Sequence, residues 1–162
     1  MPAHASALRR GRASETGRAY LVTTVTLGRR PLFADFLLAR HAVRELHREP
    51  EKHRARTLAF VLMPDHLHWL LQLERGDLAQ VVGHFKASAA RAVNQCRGAG
   101  GGPVWQPGFH DHALRKDEDL LASARYLIAN PIRAGLVHRV GDYPHWDAIW
   151  LEEPMIGTVA LE

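Results

Sequence analysis

The strongest constraint on the fold is an alternating segment at residues 66–73. Successive side chains of an extended strand point to opposite faces, so this segment divides into two sets. One set is entirely apolar: Leu67, Trp69, Leu71 and Leu73. The other set carries two histidines: His66, His68, Leu70 and Gln72. The pattern predicts a strand with one face in the core and a histidine pair on the other face.

Hydrophobic periodicity predicts the order βαββαβ, followed by a further helix. The predicted strands are at 20–27, 57–63, 66–73 and 109–115, and the predicted helices are at 33–49, after Asp77, and at 117–130. This order is typical of an α+β ferredoxin-like split βαβ fold, which RNA-recognition (RRM) domains share. We therefore expect an antiparallel sheet with two helices on one face and an extra C-terminal helix that carries Tyr126.

The length of 162 residues fits a single domain. We place this domain at 19–150, between a flexible basic arm at 1–18 and a short tail at 151–162. The one cysteine, Cys96, excludes an intrachain disulfide, and no apolar run reaches about 18 residues. These features predict a cytoplasmic protein that does not contact the membrane.

The basic residues are mostly arginine: the 21 basic side chains comprise 18 arginines and three lysines, and the net charge is +4. Arginine grips phosphate oxygens in pairs, which favours an anionic polymer as partner. The same charge is common in proteins that bind no nucleic acid, so composition alone leaves both readings open.

The pair His66 and His68 has the spacing at which two neutral imidazoles converge on one divalent cation. Three protein ligands are normally needed, so the pair is incomplete. The alternative is a chance occurrence, because the chain contains 11 histidines.

Tyr126 lies off the apolar face of the last predicted helix. That face is formed by Leu120, Leu121, Ala124, Leu127 and Ile128. Tyr126 lies about 200° from its centre and four residues before Asn130, so a hydroxyl and an amide oxygen are presented together. The alternatives are a tyrosine on a solvated surface and an asparagine that marks a helix end before proline.

Taken together, these segments resemble the REP-associated tyrosine transposases, a group of the HUH single-tyrosine transposases of bacteria and archaea. The resemblance covers about residues 19–150. It is carried by YLVTTVT at 20–26, RPLF at 30–33, LMPDHLH at 62–68, FK at 85–86, VWQ at 104–106 and YLIANPIRAGLV at 126–137.

The resemblance implies that His66, His68 and Asn130 bind Mg²⁺ or Mn²⁺ and that Tyr126 is the nucleophile. It implies a single-stranded DNA endonuclease and strand transferase that nicks and rejoins palindromic hairpin repeats through a 5′-phosphotyrosine intermediate. It also implies a bacterial, nucleoid-associated protein, with a monomer favoured over a dimer.

Six side chains are candidates for contact with DNA, one of them by stacking on a base: Lys86, Arg91, Trp105, Arg115, Arg125 and Arg133. The alternative for each charged residue is a side chain on a solvated surface.

A second His-x-His segment at 110–112 suggests a supporting role for Asp111 and His112 rather than a second metal pair. The alternative for the whole chain is a non-catalytic RRM-like module that binds single-stranded nucleic acid, which would need exposed aromatic rings on its central strands.

Overall fold

A computed structural model describes residues 14–48, 54–98, 102–116 and 118–151. Within these ranges the strands are β1 (Ala19–Val25), β2 (Ala55–Leu62), β3 (His66–Leu73), β4 (His110–Ala113) and β5 (Trp146–Ala148). The helices are α1 (Phe36–Arg48), α2 (Leu78–Arg97), α3 (Leu120–Ile128) and α4 (Asn130–Arg133). None of the helices in this part of the chain combines the length and apolarity that crossing a bilayer requires.

The strands form one antiparallel sheet in the order β4-β1-β3-β2-β5. The central strand, β3, has the bounds that its alternation predicts. Its register places His68 opposite Thr23 of β1 and opposite Val61 of β2. The predicted α+β split βαβ architecture is confirmed.

Helices α1 and α2 pack on the apolar face of β3, as predicted. Leu67, Trp69, Leu71 and Leu73 are all buried in the core that these helices form with the sheet. The Trp69 ring meets the Phe85 ring of α2 edge-on, with centroids 5.5 Å apart. Burial of large rings of this kind is the main source of stability in a domain of this size.

The second face of the sheet is partly covered by α3, which rests mainly on β2. Ala124, Leu127 and Ile128 of α3 form a second core with Leu70 of β3 and with alternate residues of β2. Strand β2 is therefore buried on both faces, which explains why residues 58–63 form an unbroken apolar run instead of alternating.

Two helices begin later than predicted because acidic residues cap them. The side chain of Asp35 accepts bonds from the backbone of Leu37 and Leu38, which places the start of α1 at Phe36 rather than at 33. Asp119 caps α3 in the same way. The predicted start of this helix at Asp117 falls outside the described residues.

Two segments differ from the sequence prediction. Strand β5 was not predicted, because three residues are too few to show periodicity. Part of the proposed flexible arm is ordered: Gly17 donates a hydrogen bond to Leu73, and Leu73 donates one to Arg18. Residues 1–13 of that arm and residues 152–162 of the tail lie outside the described residues.

The edge strand β5 is anchored to β2 by the segment that precedes it. The buried hydroxyl of Tyr143 donates a hydrogen bond to the backbone oxygen of Leu62. The Leu62 backbone nitrogen in turn donates to the oxygen of His145 at 2.8 Å. Burial raises the pKa of Tyr143 to about 12.

We predict that Tyr143→Phe lowers the free energy of unfolding by about 1–2 kcal/mol, because the Leu62 carbonyl loses a buried partner. Urea denaturation measures this difference. It should be constant below about pH 10 and shrink as the pH rises towards about 12, because the unfolded tyrosine loses its proton first.

The matched control is Tyr126→Phe, which removes the same atom from an exposed ring and should change stability by less than about 0.5 kcal/mol. Equal stability of the Tyr143→Phe protein and the wild type would contradict the assignment.

Candidate functional site

His66 and His68 stand side by side on the sheet face away from α1 and α2. Their ring centroids are 4.7 Å apart and the rings are nearly perpendicular, at 84°. Both residues are partly buried. The predicted common face of the two histidines is therefore confirmed.

Each histidine has its Nδ1 engaged by another side chain. His66 Nδ1 lies 2.6 Å from the carboxylate of Asp65, and His68 Nδ1 lies 2.9 Å from the hydroxyl of Thr23. Nδ1 of His66 donates to the carboxylate, which leaves the lone pair on Nε2. When His68 donates to the Thr23 hydroxyl, its Nε2 also offers a lone pair. Such outer contacts orient metal-binding histidines.

Electrostatics support this arrangement. Partial burial opposes ionisation of Asp65, but the hydrogen bond with His66 and the nearby Arg29 lower its net pKa. Arg29 Nη1 lies 3.3 Å from that carboxylate. Burial, followed by the charges of His66 and Arg133, lowers the pKa of His68 to about 4. His68 is thus neutral near pH 7, which is the form that binds metals.

Tyr126 lies on the outer side of α3, with 67% of its surface exposed. The guanidinium carbon of Arg133 lies 3.9 Å from the centre of the tyrosine ring. The prediction that Tyr126 lies off the core face is confirmed, and an arginine on the following helix contacts it.

Asn130 lies just beyond the end of α3, at the first position of α4. Its side-chain nitrogen donates to the backbone oxygen of Leu127 at 2.9 Å. This is the helix-end bond that the sequence left as an alternative. Since the nitrogen is used in this way, the side-chain oxygen is the atom suited to bind a cation.

The donor set fits a divalent cation that accepts nitrogen and oxygen ligands. Within the described ranges, no three side chains among His, Cys, Asp and Glu come together as a metal-binding group. A third protein ligand from this part of the chain would therefore be of another type, and the amide oxygen of Asn130 stays the candidate that the sequence predicts.

The chain matches a known protein family. The model of the family described as IS200-like transposases matches residues 16–127, which is well over half of the chain. This chain belongs to that family. The matched range includes both histidines and Tyr126, and it ends before Asn130.

Relatives of this IS200-like transposase are found in bacteria. A Haemophilus influenzae protein, named provisionally as a REP-associated tyrosine transposase, is 31% identical over 99 residues, which are 55% of this chain and 56% of the relative. The REP-associated tyrosine transposase of Escherichia coli K12 is 27% identical over 113 residues, which are 70% of this chain and 64% of the relative. The match thus spans less than two thirds of either relative.

A solved structure has the same fold. It is that of a REP-associated tyrosine transposase bound to a REP hairpin, and it matches 83% of this chain and 79% of its own with a TM-score of 0.64. The sequence identity is 24%.

The six predicted DNA-contacting residues are dispersed. Arg133 contacts Tyr126. Arg125 lies on α3, and its Nε is buried without a hydrogen-bond partner among the described residues. Arg115 follows β4 at the opposite end of the sheet, with its Nε 3.6 Å from Glu118. Arg91 lies on α2, which covers the other face of the sheet, and it donates to Ser88.

Two of the six have structural surroundings that a DNA contact would have to disrupt. Trp105 is only 6% exposed and packs against Phe33 and Phe85, so the predicted base-stacking role is wrong. The ammonium of Lys86 donates to the backbone oxygens of Gln106 and Gly108, each at 2.7 Å, and burial lowers its pKa to about 8. Lys86 therefore ties α2 to the loop before β4.

The structure separates the two predicted supporting residues. His112 pairs with Leu21, on the same face as the histidine pair, and its Nε2 lies 3.4 Å from Glu118. Asp111 pairs with Val22, whose side chain is in the core under α1 and α2. The two side chains therefore point to opposite faces of the sheet.

Thr23 and Asp65 are functional candidates that the sequence patterns did not predict. Asp65 had a visible signal, since it directly precedes His66. Thr23 is 45 residues from His68 and becomes its neighbour only through the β1–β3 register. No local pattern reveals such a contact.

We predict that Thr23→Val weakens Mn²⁺ binding by about tenfold or more, because His68 loses the group that orients its ring. Isothermal titration with Mn²⁺ measures the affinity.

Thr24→Val is the matched control, since this neighbouring hydroxyl is buried, points to the opposite face and has no partner in the described structure. Equal loss in both variants, or no loss in Thr23→Val, would contradict the role of Thr23.

Proposed function

We propose that this IS200-like transposase is a metal-dependent single-stranded DNA endonuclease and strand transferase. The observation that carries the proposal is the histidine pair with both Nδ1 atoms engaged by the protein, which leaves two Nε2 atoms for a cation, together with the outward-facing Tyr126 of α3. His66, His68 and Asn130 would hold Mg²⁺ or Mn²⁺. When bound, the ion would polarise a non-bridging oxygen of the scissile phosphate.

Tyr126 is the proposed nucleophile. Its Oη forms a bond to phosphorus while the bond from phosphorus to the 3′-oxygen breaks, which leaves a 5′-phosphotyrosine and a free 3′-hydroxyl. The proton of the tyrosine is balanced by the proton that the 3′-oxygen gains. Attack by a 3′-hydroxyl on the phosphotyrosine reverses these changes and rejoins the strands without a nucleotide cofactor.

The proposed substrate is single-stranded DNA that folds into a palindromic hairpin. Support comes from the relatives, which are named as REP-associated transposases, and from the related structure that holds a REP hairpin. Arg133 contacts Tyr126 and influences His68 within one chain, which supports a site completed by a single protomer.

The rival proposal is a non-catalytic RRM-like module. Such modules stack bases on aromatic rings of the central strands. The face of β1 and β3 that carries the histidine pair presents Leu21, Thr23 and Gln72 beside that pair, and it presents no aromatic ring other than the imidazoles. This composition favours the enzyme.

We predict that the protein forms a covalent adduct with a labelled hairpin oligonucleotide in the presence of Mn²⁺, and that Tyr126→Phe forms none. Denaturing gel electrophoresis detects the adduct. Tyr20→Phe is the control, because its ring is buried in the core. An equal adduct from Tyr126→Phe would refute the nucleophile, and hairpin binding without any adduct would favour the module.

The same assay tests whether adduct formation requires the cation. His66→Ala should abolish adduct formation, because the cation loses one of its proposed protein ligands. Binding of the hairpin should be largely retained. Adduct formation by His66→Ala at the wild-type rate after removal of metal by EDTA would refute the metal-dependent mechanism.

A further inference from the structure

Arg133 makes two contacts with Tyr126, the proposed nucleophile. Its guanidinium lies over the ring of Tyr126, and its Nη2 donates to the backbone oxygen of the same residue at 2.7 Å. One side chain thus holds both the ring and the main chain of a residue seven positions earlier. The two contacts together restrict the guanidinium to one orientation.

Tyr126 is on α3 and Arg133 is on α4, so the contact joins two consecutive helices. Arg133 is therefore a positive group that the fold places directly against the proposed nucleophile.

We propose that Arg133 is the positioning residue of the nucleophile and also binds the scissile phosphate. This inference rests on the proposed function. A guanidinium has five N–H donors in one plane. Its face covers the Tyr126 ring and one donor is used by the Tyr126 carbonyl, so donors remain along its edge for the oxygens of a phosphate.

A positioning residue is needed because the fold does not fix the tyrosine by packing. With 67% of its surface exposed, the Tyr126 side chain has few neighbours that would select one rotamer. In-line attack depends on placing the oxygen close to phosphorus, and small displacements are costly in rate. Contact with Arg133 replaces the missing packing.

Arginine is suited to this role and lysine is not. A planar guanidinium can stack on a ring and donate sideways at the same time, whereas an ammonium is a point charge without a face. In the reaction Arg133 keeps its proton throughout. It stabilises the charge that develops on the phosphate oxygens while the bond to Tyr126 forms and the bond to the 3′-oxygen breaks.

The test compares Arg133→Lys and Arg133→Gln with the same changes at Arg139. Arg139 is also exposed, but it pairs with Asp142 and has no contact with Tyr126. The rate of adduct formation is measured in a single turnover with saturating hairpin DNA and Mn²⁺. Hairpin affinity is measured separately in the Tyr126→Phe background.

We expect Arg133→Lys to slow adduct formation by about tenfold to a hundredfold, with hairpin affinity within about threefold of the wild type. Arg133→Gln should be at least as slow. The Arg139 variants should stay within about twofold in rate. If Arg133→Lys formed the adduct at the wild-type rate, a positive charge at this position would be sufficient. That result would overturn the positioning role of Arg133.

A second readout follows the ring directly in the protein without DNA. The chain has three tyrosines, so ¹³C-labelled tyrosine gives few ring signals, and Tyr126→Phe assigns one of them. Both Arg133 variants should shift the Tyr126 signal, whereas the Arg139 variants should not. An unmoved signal would overturn the contact.

The two readouts separate this inference from the function on which it rests. If the wild type forms no adduct, the proposed function fails, and the ring signal still decides whether Arg133 holds Tyr126. If the wild type forms an adduct through Tyr126 and both Arg133 variants match its rate, only the role of Arg133 fails.

Discussion

The register of β3 between β1 and β2 is the constraint on which the rest of the structure depends. Because side chains alternate along a strand, a slip of one residue would move the core residues to the open face and both histidines into the core. The burial of Trp69 against Phe85 makes such a slip very unfavourable. The same register places Thr23 beside His68. Core packing and the orientation of the candidate metal ligands therefore have one common cause.

The features that the sequence predicted correctly are those with a local period. The alternation at 66–73 predicted β3 and its two faces, and the apolar stripe of the last helix predicted that Tyr126 faces outward. The features that it missed depend on contacts between distant segments. Strand β5 pairs with β2 and is flanked by bonds that join Tyr143 and His145 to Leu62, and Trp105 is buried against Phe33 and Phe85. Aromatic character alone does not tell a core ring from a stacking platform.

The candidate site combines a rigid part with a part that is less firmly held. The histidines belong to a strand that is paired on both sides, whereas Tyr126, Asn130 and Arg133 lie where α3 ends and α4 begins. The Asn130 side chain closes the end of α3 and the Arg133 side chain reaches back to Tyr126. Both bonds are local to this junction. A substitution there can change the position of the tyrosine without disturbing the sheet.

Helix α3 covers only part of the sheet face on which the histidines lie. Val61 of β2 and Leu70 of β3 are buried under the helix on this face, whereas His110 and His112 of the edge strand β4 are exposed. The histidine pair therefore stands on a boundary between two dielectric environments. Solvent on the β4 side weakens the electric field of a charge in the site, whereas the buried β2 side weakens it very little. The electric field in the site is thus asymmetric.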